Sequence, residues 1–426
     1  MIAASAKEHR REMDVLHLKA LRPPRNGGDP DSPYAANYDE ALANPYPRPS
    51  DVLRRNDGKE TATPAQWWRI RRPQIAAAFD EDIYGHPPKA TPPVKWEVAD
   101  TKTDVIGGVK AITKKLVGHV DNAGDPAITV NIEASETLPA DVKGRVPVII
   151  ELTFDFSKFH FPKGFKLPPE PPGPDWKTQI LRLGWGYVTY DPTSVQPDNG
   201  AGLAEGIVGL ANKGEPRKMD DWGALRAWAW GASRILDYLK TEPHVAGDEI
   251  GIAGHSRYGK AALVAEAFDQ RFAIGYISSS GAGGAKLLRR NYGETVANIA
   301  GDEFHWMAGN FLRYAADPLT PNDLPVDADA LIALCAPRPV FISAGSPEAG
   351  DAWVDARGMF MAAAGAGPVY RLLGKKGLET DIFPPMGTTL ISGDVGFRQH
   401  HYGHTQAPNW PVFLKFARKY LHAEKS

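Results

Sequence analysis

Cysteine is nearly missing from this sequence. Cys335 stands alone among 426 residues, so no disulfide can form within the chain. It lies in the apolar run from Ala330 to Ala336 and is expected to be a small buried hydrophobe. Net charge is also scarce. Lys and Arg number 49 against 51 Asp and Glu, a formal balance of −2, which gives no electrostatic basis for binding nucleic acid or an anionic membrane. No apolar run approaches the roughly 20 residues that a helix needs to cross a bilayer. The first residues, MIAASAKEHRREM, lack the apolar core of a secretory leader. Two readings stay open: a cytoplasmic protein, or an exported one whose leader lies outside this sequence. Internal repeats and low-complexity segments are lacking too.

What is present suits a globular enzyme. Hydrophobic residues make up 42% of the chain, enough for a true core, and the length fits one large domain or two ordinary ones. Gly and Pro are plentiful and imply many turns and long ordered loops. Eleven Trp are many; exposed Trp surfaces often serve sugar rings, but most of these are expected in the core. Residues 1–60 are polar and rich in Pro, Asn and Asp, and read as loops. Thr63 and Pro64 cap a helix running to about Arg71, and a second short helix follows Pro73 with Ile75 and Phe79 inward. Strands are expected at Trp96–Asp100, Val105–His119 and Ala127–Glu133. Arg145–Leu152 is a near-continuous apolar run, as in a strand covered on both faces. Phe154–Asp175 reads as a loop and Trp185–Tyr190 as the next strand. Asp220–Lys240 carries a clear helical stripe, with Leu225, Trp228, Ala232, Ile235 and Leu239 on one face. Strands at Phe272–Ile277, Pro339–Ser343 and Val369–Leu373 and a closing helix at Trp410–Leu421 complete an α/β pattern with a mainly parallel sheet. Residues 1–90 are expected to form an extension packed on a catalytic unit of residues 91–426.

The informative stretch is Glu249–Ala262, EIGIAGHSRYGKAA. A short apolar run precedes Gly254-His255-Ser256-Arg257-Tyr258-Gly259, and an Ala-rich helix follows. This fits the nucleophile elbow G-x-S-x-G with one residue more before the second Gly. A serine between glycines is common; the strand before and the helix after make this one a candidate nucleophile.

A serine hydroxyl needs a base, and the base needs an orienting acid. In elbow enzymes these follow in the order Ser, acid, His. After Pro339–Ser343 come Glu348, Asp351 and Asp355; before the last helix come His400, His401 and His404. His404, nearest that helix and preceded by a Gly, is the preferred base, with His400 and His401 as alternatives. The His cluster lacks a matching carboxylate motif, so no metal is expected. Arg257 directly follows the serine and can add a charged donor to the oxyanion hole. Lys260 lies one turn further on. Two cations here suit a substrate with hydroxyls or negative charge.

The residues G-H-S-R-Y-G-K (254–260), followed by Ser280-Gly281-Ala282-Gly283-Gly284, resemble the glucuronoyl esterase family, carbohydrate esterase family fifteen. The likeness extends to Trp68 with Arg72-Pro73, Tyr84-Gly85, Gly184-Trp185-Gly186-Tyr187, Arg289-Arg290-Asn291 with Gly293-Glu294, and Ala336-Pro337-Arg338-Pro339. It covers roughly residues 65–422. The resemblance implies an α/β-hydrolase fold, a three-layer sandwich, and hydrolysis of esters joining 4-O-methyl-glucuronic acid on xylan to lignin alcohols. Ser256 is then nucleophile, His404 base and Arg257 oxyanion donor. Lys260 and Glu294 hold sugar hydroxyls, Trp353 packs on the uronate ring, and His305 is a polar sugar contact. Many members of the family carry a catalytic Glu where this chain has Ser279. The acid must then come from the later loop, with Asp351 first and Glu348 second. The GHS form of the elbow, with a single cysteine, is similar to bacterial members. No cofactor is implied. The partner is the glucuronoxylan–lignin ester, the chain a monomer, and its place secreted or periplasmic. The rivals are an acetyl or feruloyl xylan esterase and a carbohydrate-binding homologue that has lost its acid.

Overall fold

The run VPVIIEL becomes strand β4, Val146–Leu152, buried along its whole length. Its neighbours explain why. In the computed structural model, which describes residues 1–43, 51–155 and 172–422, β4 lies inside a ten-stranded sheet. The other strands are β1 Val94–Ile106, β2 Val109–Val120, β3 Asn131–Pro139, β5 Gly186–Asp191, β6 Val245–His255, β7 Ile274–Ser278, β8 Val340–Ala344, β9 Thr389–Leu390 and β10 Val395–Gln399. The order across the sheet is β1-β2-β3-β5-β4-β6-β7-β8-β10-β9. From β5 to β10 neighbouring strands run parallel, while β1, β2, β3 and β9 pair antiparallel at the flanks.

Alternate side chains feed two cores. Val148 and Ile150 of β4 and Val340 and Ile342 of β8 pack into the larger one. Ile149 and Phe341, one residue out of step, pack into the other with Trp410, Phe413 and Phe416 of the closing helix Trp410–Ala417. Period-two alternation buried on both sides is the three-layer α/β sandwich expected. The helix Ala224–Leu239 covers the larger core with its apolar stripe. Cys335 ends the helix Ala328–Cys335 and is fully buried.

Four expectations need correction. Residues 2–15 are a helix, Ile2–Val15, although its composition is polar. A tertiary contact holds it: Glu12 receives Arg217 Nε at 2.7 Å, and neither side chain is exposed. Val105–His119 is two strands. Gly107 and Gly108 both take positive φ (57° and 88°), so the chain turns back as a two-residue hairpin. The strand read at 127–133 starts and ends later, as β3. Val369–Leu373 lies in a helix, Gly367–Leu372, with Pro368 in its first turn. The strand that does close the parallel set is β10, VGFRQ. The loop expected over 154–175 lies largely outside the described residues. No helix among the described residues is long and apolar enough to cross a membrane.

Candidate active site

The carboxyl ends of β6, β7, β8 and β10 converge, and open α/β sheets carry their sites at that edge. β6 stops at His255 and a helix starts at Arg257, leaving Ser256 at the join. Ser256 has φ 58° and ψ −129°, a conformation costing a side-chain-bearing residue about 1–3 kcal/mol. Two backbone bonds fix it: its N–H donates to Ser278 O at 2.9 Å, and its carbonyl accepts from Lys260 N at 3.1 Å. The flanking glycines are steric necessities. A Cβ at Gly254 would lie 2.3 Å from Tyr258 O, and one at Gly259 2.8 Å from Ser278 O.

His404 and Asp351 meet beside His255, the residue before the serine. Nδ1 of His404 lies 2.6 Å from Oδ1 of Asp351. The carboxylate is 1% exposed, while the imidazole is half-buried. Asp351 Oδ2 accepts from the Ser279 hydroxyl at 2.8 Å and from Gly345 N–H at 2.5 Å. Ser279 therefore supports the carboxylate of the later loop. Glu348 points elsewhere: it is exposed and accepts the Ser346 hydroxyl, which holds its carboxyl below the usual range. Neither of the other two histidines makes a hydrogen bond or ion pair with Asp351 among the described residues. His400 is buried and braces the loop through Thr405 O and Tyr402 N–H; burial first, against those bonds, lowers its pKa. His401 is exposed. His255, next to the serine, packs on His404 with ring centroids 4.3 Å apart and faces the Ser278 hydroxyl at 3.2 Å. Burial, then the neighbouring His404, pushes its pKa well down, so it stays neutral and adds no charge beside His404.

Arg257 is held by a residue the sequence did not single out. Its Nη1 lies 2.5 Å from Asp198 Oδ2, and its guanidinium sits 5.1 Å from the Trp306 ring centre. Asp198 Oδ1 also receives Trp306 Nε1 at 2.7 Å and His305 Nε2 at 2.9 Å. Burial alone would raise the Asp198 carboxyl; His305, Arg257 and Trp306 outweigh it and keep the group well below the carboxylate range. His305, expected as a sugar contact, is thus 3% exposed and spends its ring nitrogen on Asp198. Its pKa is lowered by burial against the pull of Asp198. The only sequence signal for Asp198 is the turn Pro197-Asp198-Asn199-Gly200 beyond β5. Asp198, Glu303 and His305 bring three donor atoms within 4.8 Å of one another. With the Arg257 cation already on Asp198, this group is a poor host for a metal ion.

Lys260 is pinned by three acceptors: Ser280 O and Ala282 O, each at 2.7 Å, and Glu294 Oε2 at 2.8 Å. Burial lowers its pKa and Glu294 opposes the shift. Glu294 Oε2 also accepts Ala282 N–H at 2.9 Å, and its backbone N–H reaches Trp353 O at 2.9 Å. The Trp353 ring is half-buried beside Gly27, where a Cβ would lie 2.7 Å from Cε3. The elbow thus carries Ser256, Arg257 and Lys260. His404 and Asp351 form one pair, and Glu294 ties Lys260 to Trp353. A strained serine, an imidazole on a buried carboxylate and a fixed guanidinium form a set able to transfer an acyl group.

A family model described as "Glucuronyl esterase, fungi" matches residues 216–374. The protein "Carbohydrate esterase MZ0003", from an unknown prokaryotic organism, is 32% identical over 92% of this chain and 94% of its own length. A 4-O-methyl-glucuronoyl methylesterase of Schizophyllum commune is 28% identical over 75% of this chain and 72% of its own. Among solved structures, a CE15 glucuronoyl esterase from Teredinibacter turnerae T7901 is 42% identical. It superposes with a TM-score of 0.89 over 97% of this chain and 99% of that one.

Proposed function

The chain belongs to the glucuronoyl esterases of carbohydrate esterase family 15, and on that footing we propose that it hydrolyses esters of xylan-linked 4-O-methyl-glucuronic acid with lignin alcohols, with Ser256 as nucleophile. It is a serine-type carboxylic ester hydrolase. Ser256 attacks the uronate carbonyl and its proton passes to His404. Asp351 keeps Nδ1 of that imidazole as a donor and stabilises the imidazolium. Backbone N–H groups at the start of the helix Arg257–Phe268 and the Arg257 guanidinium hold the oxyanion. The alcohol leaves with the proton from His404. Water, deprotonated by the same base, then cleaves the acyl-enzyme and releases the free uronic acid. Neither step needs a metal or an organic cofactor.

Lys260 and Glu294 form the hydroxyl-binding side. Glu294 commits Oε2 to Lys260 and Ala282, while Oε1 makes no bond among the described residues and remains open to a sugar hydroxyl. Trp353 offers the uronate a ring face. His305 acts one step back, through Asp198 on Arg257. We assign the protein to the cell exterior or periplasm, as a polymer substrate requires, and as a monomer without nucleic-acid or membrane partners.

The observation that carries this reading is the 2.6 Å contact of His404 with a buried Asp351, which Ser279 and Gly345 orient in turn. It supplies the acid that the serine at position 279 cannot, and so favours an enzyme over a binding homologue. The test is hydrolysis of benzyl and methyl glucuronate by the purified protein, with Ser256→Ala and Asp351→Asn beside it. Turnover lost in both variants is expected. Cleavage of acetyl or feruloyl esters in preference to uronate esters would overturn the substrate; turnover kept in Asp351→Asn would move the acid.

A further inference from the structure

An arginine-lined cavity of about 330 Å³ lies between the N-terminal segment and the loop that carries Glu294. Its walls include Arg22, Arg25, Arg289, Arg290, Asn291 and Asn322. Three of these arginines have acidic partners. Arg289 pairs with Asp327 at 3.1 Å, and Arg290 with Asp355 and Glu40, each at 2.8 Å. Arg22 donates to Tyr314 O and pairs with Asp317 at 3.2 Å, whose side chain is 97% exposed and so a weak partner. The Arg25 guanidinium has no hydrogen bond or ion pair among the described residues, although its carbonyl is fixed by Asn298 Nδ2 at 2.8 Å. The cavity therefore holds one guanidinium, that of Arg25, without an acidic partner among the described residues, on an anchored backbone.

Its position is informative. Arg25 and Gly27 are two residues apart, which places their Cα atoms within about 7 Å. Gly27 lies against the Trp353 ring. On the opposite wall, Asn291 lines the cavity, Gly293 packs on the Trp353 backbone, and Glu294 N–H bonds to Trp353 O at 2.9 Å. The strap of residues 26–28 and the loop 291–294 thus run from the cavity lining to Trp353. The pocket also offers the amides of Asn291 and Asn322, with apolar rims from Pro23, Leu288 and Pro321. Amides, an unpaired guanidinium and apolar edges suit a carboxylated sugar.

We propose that this cavity is a second subsite that binds the carboxylate of an acidic sugar, with Arg25 as its principal ligand. The inference rests on the uronate-esterase reading for its substrate class. The sugar has two sources, a further uronate on the same xylan chain or the free uronic acid released by hydrolysis.

Arg25→Gln is the primary variant, because the Arg25 side chain makes no hydrogen bond or ion pair among the described residues that the fold would lose. Asn322→Ala is the second. For benzyl glucuronate, too short to span both sites, kcat/KM is expected to stay within twofold of the parent. For an ester carried on glucuronoxylan oligomers bearing several uronates it is expected to fall about tenfold, as loss of one charge-assisted contact implies. Sodium glucuronate titrated calorimetrically into Ser256→Ala should show a salt-sensitive site that Ser256→Ala/Arg25→Gln lacks. An oligomer effect without that free-sugar site assigns the subsite to the polymer. A free-sugar site without an oligomer effect assigns it to the released product. Absence of both effects, or an equal fall for the small and the polymeric ester, overturns the proposal. Arg25-dependent glucuronate binding by a protein that cleaves no uronate ester would uphold the subsite and sink the esterase reading.

Discussion

At the scale of single residues, the site separates groups that touch the reacting atoms from groups that aim them. In the proposed mechanism Arg257 belongs to the first kind. Its replacement by Ala is expected to lower kcat by roughly 10²–10³, the usual cost of one oxyanion donor, with the far-ultraviolet circular dichroism unchanged. Asp198 belongs to the second. It gathers Arg257, Trp306 and His305 on one carboxylate. Asp198→Asn keeps the shape but removes the charge that holds the guanidinium. A kcat loss of up to about 10²-fold is expected, as for a donor misplaced by about 1 Å. In the Arg257→Ala background the same substitution should cost much less; an undiminished second loss would show that Asp198 acts on something other than Arg257. Asp351→Asn is expected to lower kcat on the order of 10⁴, by freeing the imidazole to take the wrong tautomer. Glu348→Gln should leave turnover within twofold of the parent, because Glu348 faces solvent and Ser346.

At the scale of elements, legibility followed the range of the interactions involved. The elbow was readable because strand, turn and helix are contiguous and its glycines answer local contacts. Gly254→Ala would push a Cβ to 2.3 Å from Tyr258 O. It is expected to give insoluble or strongly destabilised protein, measurable as a lowered denaturant midpoint. The helix Ala224–Leu239 was readable because its stripe holds one period throughout. The first helix was not, since what orders it is Arg217, some two hundred positions away. Glu12→Ala should destabilise the fold by about 3–5 kcal/mol, the cost of leaving a buried guanidinium unpaired, as read by chemical denaturation. Asp198 was hidden for the same reason. A carboxylate in a Pro-Asp-Asn-Gly turn is usually a turn residue, and only the tertiary fold brings Trp306 and Arg257 onto it. Ser279 was legible as a departure from a family pattern, but its bond to Asp351 crosses 72 positions.

At the scale of the whole molecule, several buried carboxyls link stability to pH. Glu266 has no exposed surface and lies near Arg338 and Cys335; burial first raises its pKa to about 8. Burial likewise raises Glu151 to about 8 and Glu136 to about 7. Below the unfolded value of 4.5 both states hold these protons. Between there and about pH 8 the unfolded chain releases them while the fold keeps them, so stability falls as pH rises. The buried imidazoles His255, His305 and His400 work from the other side. The fold holds them neutral, and its stability falls as pH drops through 6.5, where the unfolded chain takes up protons. Between 4.5 and 6.5 the two contributions oppose each other; above 6.5 the carboxyls act alone, and melting temperature should decline along an alkaline limb towards pH 8. Glu266→Gln should flatten that alkaline limb. An alkaline limb unchanged in that variant would show that Glu266 does not titrate in this range.

The lone thiol has a practical consequence. Cys335 is sealed at the end of its helix with no exposed surface, and burial raises its pKa well above the ordinary value. Maleimides and other thiolate-seeking reagents therefore find nothing to modify in the native chain. A cysteine introduced at a solvent-facing position such as Lys102, on the outer hairpin, would become the sole anchoring point. The catalyst could then be tethered to a solid support in one orientation.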